Sequence, residues 1–135
     1  MQAMNIGAAS RASGVSAKMI RHYEQLGLFA QPVRTDAGYR QFTDKEVHTL
    51  RFIRQARELG FSLEQVAELL NLWQNRRRSS RQVKALAQAH VDELERKLSE
   101  MRAMKATLEH LVHCCHGDDR PDCPILDKLS GGPGA

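Results

Sequence analysis

The stretch HCCHGDDRPDCPI, residues 113–125, holds all three cysteines of the chain, two of its six histidines and three aspartates. Thiolates are soft ligands, suited to Cu(I) and its heavier congeners Ag(I) and Au(I). Seven residues separate Cys115 from Cys123, with Gly117 and Pro121 allowing the chain to turn back between them. Pro124 suits the first position of a short helix over about 124–129, with Cys123 as its N-cap. The positive end of a helix favours a thiolate at that position.

The same residues serve other chemistries. Zinc takes four ligands, and Cys114, Cys115, Cys123 and a histidine supply that number. Adjacent side chains at a helix end, however, do not easily point the same way. An iron–sulfur cluster usually takes four cysteines, and the chain has three. A redox switch between Cys115 and Cys123, or unliganded cysteines in a tail, stays open.

The elements that must carry this loop are mostly helical. From Ser80 to about Val112 there is neither Pro nor Gly, and Val91, Leu94, Leu98, Met101, Met104, Leu108 and Leu111 recur every three or four residues. Such a helix is roughly 50 Å long, too long to bury its stripe against one small domain. A narrow apolar stripe on a long charged helix reads as a coiled-coil seam, hence a dimer. The methionines in it are packing residues, not a thioether copper site.

The N-terminal half carries different chemistry. Residues 6–13 can form a short helix ended by Gly14, and Ser16 caps a second, Ala17 to Leu26, ended by Gly27. Two short helices joined around a glycine form a helix-turn-helix. In the second, AKMIRHYEQL, Met19, Ile20 and Tyr23 share a buried side and leave Lys18, Arg21 and His22 for phosphates or base edges. Pro32 then breaks helix. Asp36-Ala37-Gly38 is turn chemistry, predicting a small hairpin wing with Arg34 and Arg40 beside its turn. Capping boxes at Thr43 and Ser62 start helices running to about Leu59 and along Val66, Leu69, Leu70 and Trp73. Arg76-Arg77-Arg78 follows in a polar break, a solvated loop with phosphate contact as the alternative.

Charge follows the same division. Residues 1–60 carry nine Lys and Arg against five Asp and Glu, and residues 114–135 two against four, within a net charge of +4. The basic excess lies where an anionic polymer would be met. No apolar run approaches the ~20 residues of a membrane span, and MQAMNIGAAS lacks a secretory signal. A cytoplasmic protein with reduced thiols and no membrane association is expected. A metal buffer would need neither helix-turn-helix nor wing, and no second catalytic constellation suggests an enzyme.

The stretches MNIGAAS, SAKMIRHYEQLGL, RTDAGYRQF and RQARELGFSLEQVAELL resemble the N-terminal half of MerR-type bacterial regulators. The tail HCCHGDDRPDCPIL resembles the metal loop of their copper-responsive, CueR-like branch. The likeness runs from about Met4 to Leu129. It implies a mainly α fold: a winged helix-turn-helix DNA-binding domain over 4–75, a long antiparallel coiled-coil dimerisation helix over 80–112, a metal-binding loop and short helix over 113–129, and a flexible tail over 130–135. The implied function is a homodimeric activator of copper-efflux genes. On binding Cu(I), it distorts promoter DNA whose spacer is too long, so that RNA polymerase engages both elements.

By the same resemblance Lys18, Arg21 and Tyr23 lie on the recognition helix, Arg34, Tyr39 and Arg40 on the wing, and Arg54 and Arg57 in the basic RQAR segment. Cys115 and Cys123 match the metal ligands. Cys114 and His116 stand where a small residue and a proline are common. Antiparallel pairing brings Ser80 of one chain towards the partner's loop. Divalent-metal sensors of the family commonly carry a cysteine there, so Ser80 is a selectivity position. A divalent-metal or thiol-redox sensor on the same scaffold is the alternative.

Overall fold

The computed structural model describes residues 3–29, 33–34, 38, 40–75, 77–118 and 121–131, the side chains of Val33, Arg34 and Arg40 excepted. Two compact units divide the chain, Met1–Lys84 and Ala85–Ala135.

The first unit begins with α1, Ile6–Ser13, and α2, Ala17–Gln25. Asn5 caps α1 by accepting from the Ala8 amide at 2.8 Å. Ser16 caps α2 by accepting from the Met19 amide at 3.2 Å. Between them Gly14 adopts φ 79° and donates its amide to the Ser10 carbonyl. That left-handed conformation closes a helix and is open to glycine at little cost. Val15, buried in the turn, anchors it to the core.

Strands β1, Val33–Arg34, and β2, Arg40–Gln41, pair antiparallel with Val33 opposite Gln41 and Arg34 opposite Arg40. The expected hairpin wing is thus present, and Met4 and Phe42 extend it by exchanging two 2.7 Å backbone hydrogen bonds. Phe42 is fully buried, so the base of the wing is fastened to the core.

Helix α3, Asp44–Glu58, opens with a complete Thr43–Glu46 capping box, and α4, Leu63–Gln74, with the Ser62–Gln65 box. Burial pushes the Glu46 carboxyl upward, but hydrogen bonds from Thr43 outweigh it and hold the group below the ordinary carboxylate value. Helix α3 packs against α1 and α4. The largest fully buried side chains, Phe42, Ile20, Leu50, Ile53 and Val66, come from α2 to α4 and the end of the wing. Burying each contributes about 1.5–3 kcal/mol. Trp73 stacks on Phe52 with ring centroids 4.6 Å apart and planes 8° from parallel, and is otherwise 43% exposed.

Helix α5, Ser80–Cys114, runs beyond the expected end at Val112, so His113 and Cys114 are helical. Among its described residues only His90 is buried. Leu94, Leu98, Met101, Met104 and Leu108 are 39–60% exposed. On the polar side Arg96 bridges Glu93 and Glu100. Helix α6, Pro124–Leu129, has Pro124 in its first turn and Cys123 as its N-cap residue. Among the described residues no helix is long and apolar enough to cross a membrane.

Candidate functional site

Helix α2 separates its faces cleanly. Ile20, Tyr23 and Glu24 are buried, while Lys18, Arg21, His22 and Gln25 are exposed. The spacing of that second set, 0, 3, 4 and 7 residues, puts it along one side of the helix. Lys18 and Arg21 therefore present their charges from one rigid surface. Tyr23 behaves differently. It is 6% exposed and lines a cleft of about 310 Å³ with Val15, Met19, Arg54 and Arg57. Its ring packs beneath α2 and is turned away from the exposed basic side.

Arg54 and Arg57 project from α3 beside the helix-turn-helix. Arg54 pairs with Glu58 at 3.2 Å and lies against Gly14, where an added Cβ would stand 2.6 Å from its Nη1. Arg57 donates from Nη1 to the Phe61 carbonyl at 2.7 Å, beyond the C-terminus of α3. The sequence reading missed Arg51 and Arg11. Arg51 donates from Nε to the Ala12 carbonyl at 3.0 Å, tying α3 to α1 across 39 residues. Arg11, Arg51 and Arg54 line a second cleft of about 300 Å³ around the turn. A signal existed in the three-residue spacing of Arg51, Arg54 and Arg57, which aligns them on α3. Guanidinium groups grouped at a helix-turn-helix suit phosphate oxygens, which they bind with two parallel hydrogen bonds. Tyr39 and the side chains of Arg34 and Arg40 lie outside the described residues. The backbone places Arg34 and Arg40 opposite each other on the wing.

The second constellation follows α5. Cys115 is the first residue past the helix, its amide still bonded to the carbonyls of Leu111 and Val112. Cys123 opens α6, its carbonyl accepting from the Asp127 amide at 3.0 Å while its thiol makes no capping hydrogen bond. Between them Gly117 turns the chain at φ 66°. Both thiols are free and half-buried. Cys114 is exposed, with its Sγ 3.7 Å from His110 Nε2. No three His, Cys, Asp or Glu side chains gather at metal-holding distance among the described residues. Two half-buried thiols at the two ends of one loop are soft donors, the kind that favours soft metal ions. Ser80 is the exposed first residue of α5.

A second helix with an exposed basic side, a hairpin wing and arginines around the turn define a winged helix-turn-helix, the fold of a DNA-binding transcription regulator. The family described as "MerR HTH family regulatory protein" matches residues 4–73, and that described as "MerR, DNA binding" matches 47–111. Heavy metal-dependent transcription regulator 2 of Rhizobium meliloti is 57% identical, over 96% of this chain and 88% of its own length. The regulator CueR of Salmonella typhimurium is 44% identical, over 95% and 93%. The lead(II) complex of the transcription regulator PbrR691 from Ralstonia metallidurans superposes with a TM-score of 0.83 at 29% identity, over 93% of this chain and 98% of that one. This chain belongs to the MerR family.

Proposed function

We propose that the protein is a Cu(I)-responsive transcriptional activator, open also to Ag(I) and Au(I), that binds promoter DNA as a homodimer. The observation that carries the reading is the pair of free, half-buried thiols, Cys115 and Cys123, at the two ends of one loop. A bound ion would supply charge neutralisation between two thiolates, and the loop would take one conformation around it. The relative named a heavy metal-dependent transcription regulator supports metal response, and the softness of two thiolates supports a monovalent coinage metal.

Residues 4–75 would bind DNA through Lys18, Arg21, Arg34, Tyr39, Arg40, Arg54 and Arg57, with Tyr23 supporting the recognition helix. Residues 80–112 would form the dimer through the exposed stripe of α5, antiparallel to the partner. Residues 113–129 would sense, and 130–135 would remain a tail. Metal binding would then distort an overlong promoter spacer so that RNA polymerase engages both elements of a copper-efflux promoter, in the cytoplasm where that DNA lies. A divalent reading has one specific support, the lead(II) bound by the structurally similar PbrR691.

The test is anaerobic metal titration with promoter transcription as readout. One Cu(I) per loop, with activation abolished by Cys115→Ser or Cys123→Ser and operator binding retained, is expected. Loss of operator affinity in proportion to activation would overturn the modular reading. Activation by Zn²⁺ or Pb²⁺ but not Cu(I) would favour the divalent one.

A further inference from the structure

Cys114 and His110 have no part in the reading above. They lie four residues apart on α5 and so stand one turn above the other on a single face. Both side chains are exposed, and Cys114 Sγ lies 3.7 Å from His110 Nε2. That spacing can be compared with what a metal demands. With Zn–S about 2.3 Å, Zn–N about 2.05 Å and a tetrahedral angle, the two donors stand about 3.6 Å apart. In a linear arrangement with the same bond lengths they would stand about 4.3 Å apart. The pair stands at ordinary thiol–imidazole hydrogen-bond distance, which is also within about 0.1 Å of the spacing a tetrahedral ion would require.

We propose that Cys114 and His110 form a second metal site, an exposed two-ligand chelate for a divalent borderline ion such as Zn²⁺, separate from the Cys115–Cys123 loop. One thiolate and one imidazole suit zinc better than a hard cation. The two further positions take water, because no third protein ligand joins them among the described residues. Binding releases the Cys114 thiol proton to solvent and displaces waters from the aqueous ion. The chelate also ties together the last turn of α5, directly before Cys115. A thiolate-only loop and a mixed sulfur–nitrogen pair would thus sort soft from borderline metals within a few residues. The inference stands whether or not the loop senses Cu(I).

Full-length protein carrying Cys115→Ser and Cys123→Ser, reduced and free of oxygen, is titrated with Co²⁺ as a spectroscopic stand-in for Zn²⁺. One Co²⁺ per chain with a thiolate charge-transfer band, displaced by Zn²⁺, is expected. Adding Cys114→Ser should remove the band, and adding His110→Ala should weaken binding at least tenfold, with helix content by circular dichroism unchanged. Absence of the band in the Cys115→Ser/Cys123→Ser protein would overturn the proposal. So would a band that survives Cys114→Ser, or an affinity unmoved by His110→Ala.

Discussion

Gly14→Ala tests the joint between the helix-turn-helix and α3. Gly14 holds φ 79°, and an L-residue in the left-handed region costs roughly 1–2 kcal/mol. The new methyl would also meet Arg54, at 2.6 Å from Nη1, 3.0 Å from Cζ and 3.3 Å from Cδ. These atoms belong to a flexible, exposed side chain, so the clash moves the guanidinium instead of the backbone. Displacing it breaks the solvent-exposed Arg54–Glu58 pair, which adds at most about 1 kcal/mol. The backbone cost therefore dominates stability, and the moved guanidinium is expected to account for any loss of DNA binding. For a unit of this size each kcal/mol lowers the melting temperature by about 4–8 °C.

The assay is thermal melting together with operator binding over a salt series, each for Gly14→Ala, Arg54→Ala and the double variant. Gly14→Ala should lower the melting temperature in both backgrounds. It should weaken operator binding and reduce the salt slope by about one phosphate contact only where Arg54 is present. An equal loss of affinity in the Arg54→Ala background would show that Arg54 does not carry the effect. An unchanged melting temperature would refute the backbone argument itself.

Arg21→Ala should relax base preference at one operator position, at about 1–3 kcal/mol if the contact is direct, whereas Arg40→Ala and Arg51→Ala should weaken binding evenly across sequences with a shallower salt dependence; electrophoretic or fluorescence titration against an operator library separates the two patterns. Ser80→Cys should broaden the response towards divalent metal, because a third thiolate brought by an antiparallel partner approaches the four-coordinate sphere of Zn²⁺; no gain in zinc binding or zinc-dependent transcription at matched free metal would place residue 80 away from the loop. Glu46→Gln should flatten the acid side of the stability curve. The folded Glu46 carboxyl lies below its ordinary value, so its contribution is present above the unfolded pKa and lost as pH falls through the folded one; denaturant titrations below pH 5 that show identical slopes for both proteins would remove Glu46 from that account.

The helix boundaries were legible because their causes are local. Ser16 and Ser62 cap amides three residues ahead, Gly14 ends α1 in the only region where it outcompetes other residues, and Pro124 starts α6. Each depends on a few consecutive positions, so spacing is sufficient to find it. The loop between Cys115 and Cys123, proposed above as the metal site, was found for the same reason, since seven residues bounded by cysteines need no distant partner to be noticed. One local boundary was read short: α5 carries His113 and Cys114 on its last turn, because no Pro or Gly interrupts the chain before Gly117.

What folding alone decided lies between residues far apart in the chain. Tyr23 lies on the buried side of α2 that its spacing with Met19 and Ile20 predicted, and what folding added is the cleft it lines with Arg54 and Arg57 of α3. Arg51 reads as one more surface charge until α1 brings the Ala12 carbonyl to its Nε, and Arg54 gains its role from lying against Gly14. Met4 becomes part of the wing only through Phe42. Side-chain periodicity says which face of a helix is apolar. It does not say which backbone carbonyl, 39 residues away, will meet an arginine on the polar face, because that is set by how the packed helices cross.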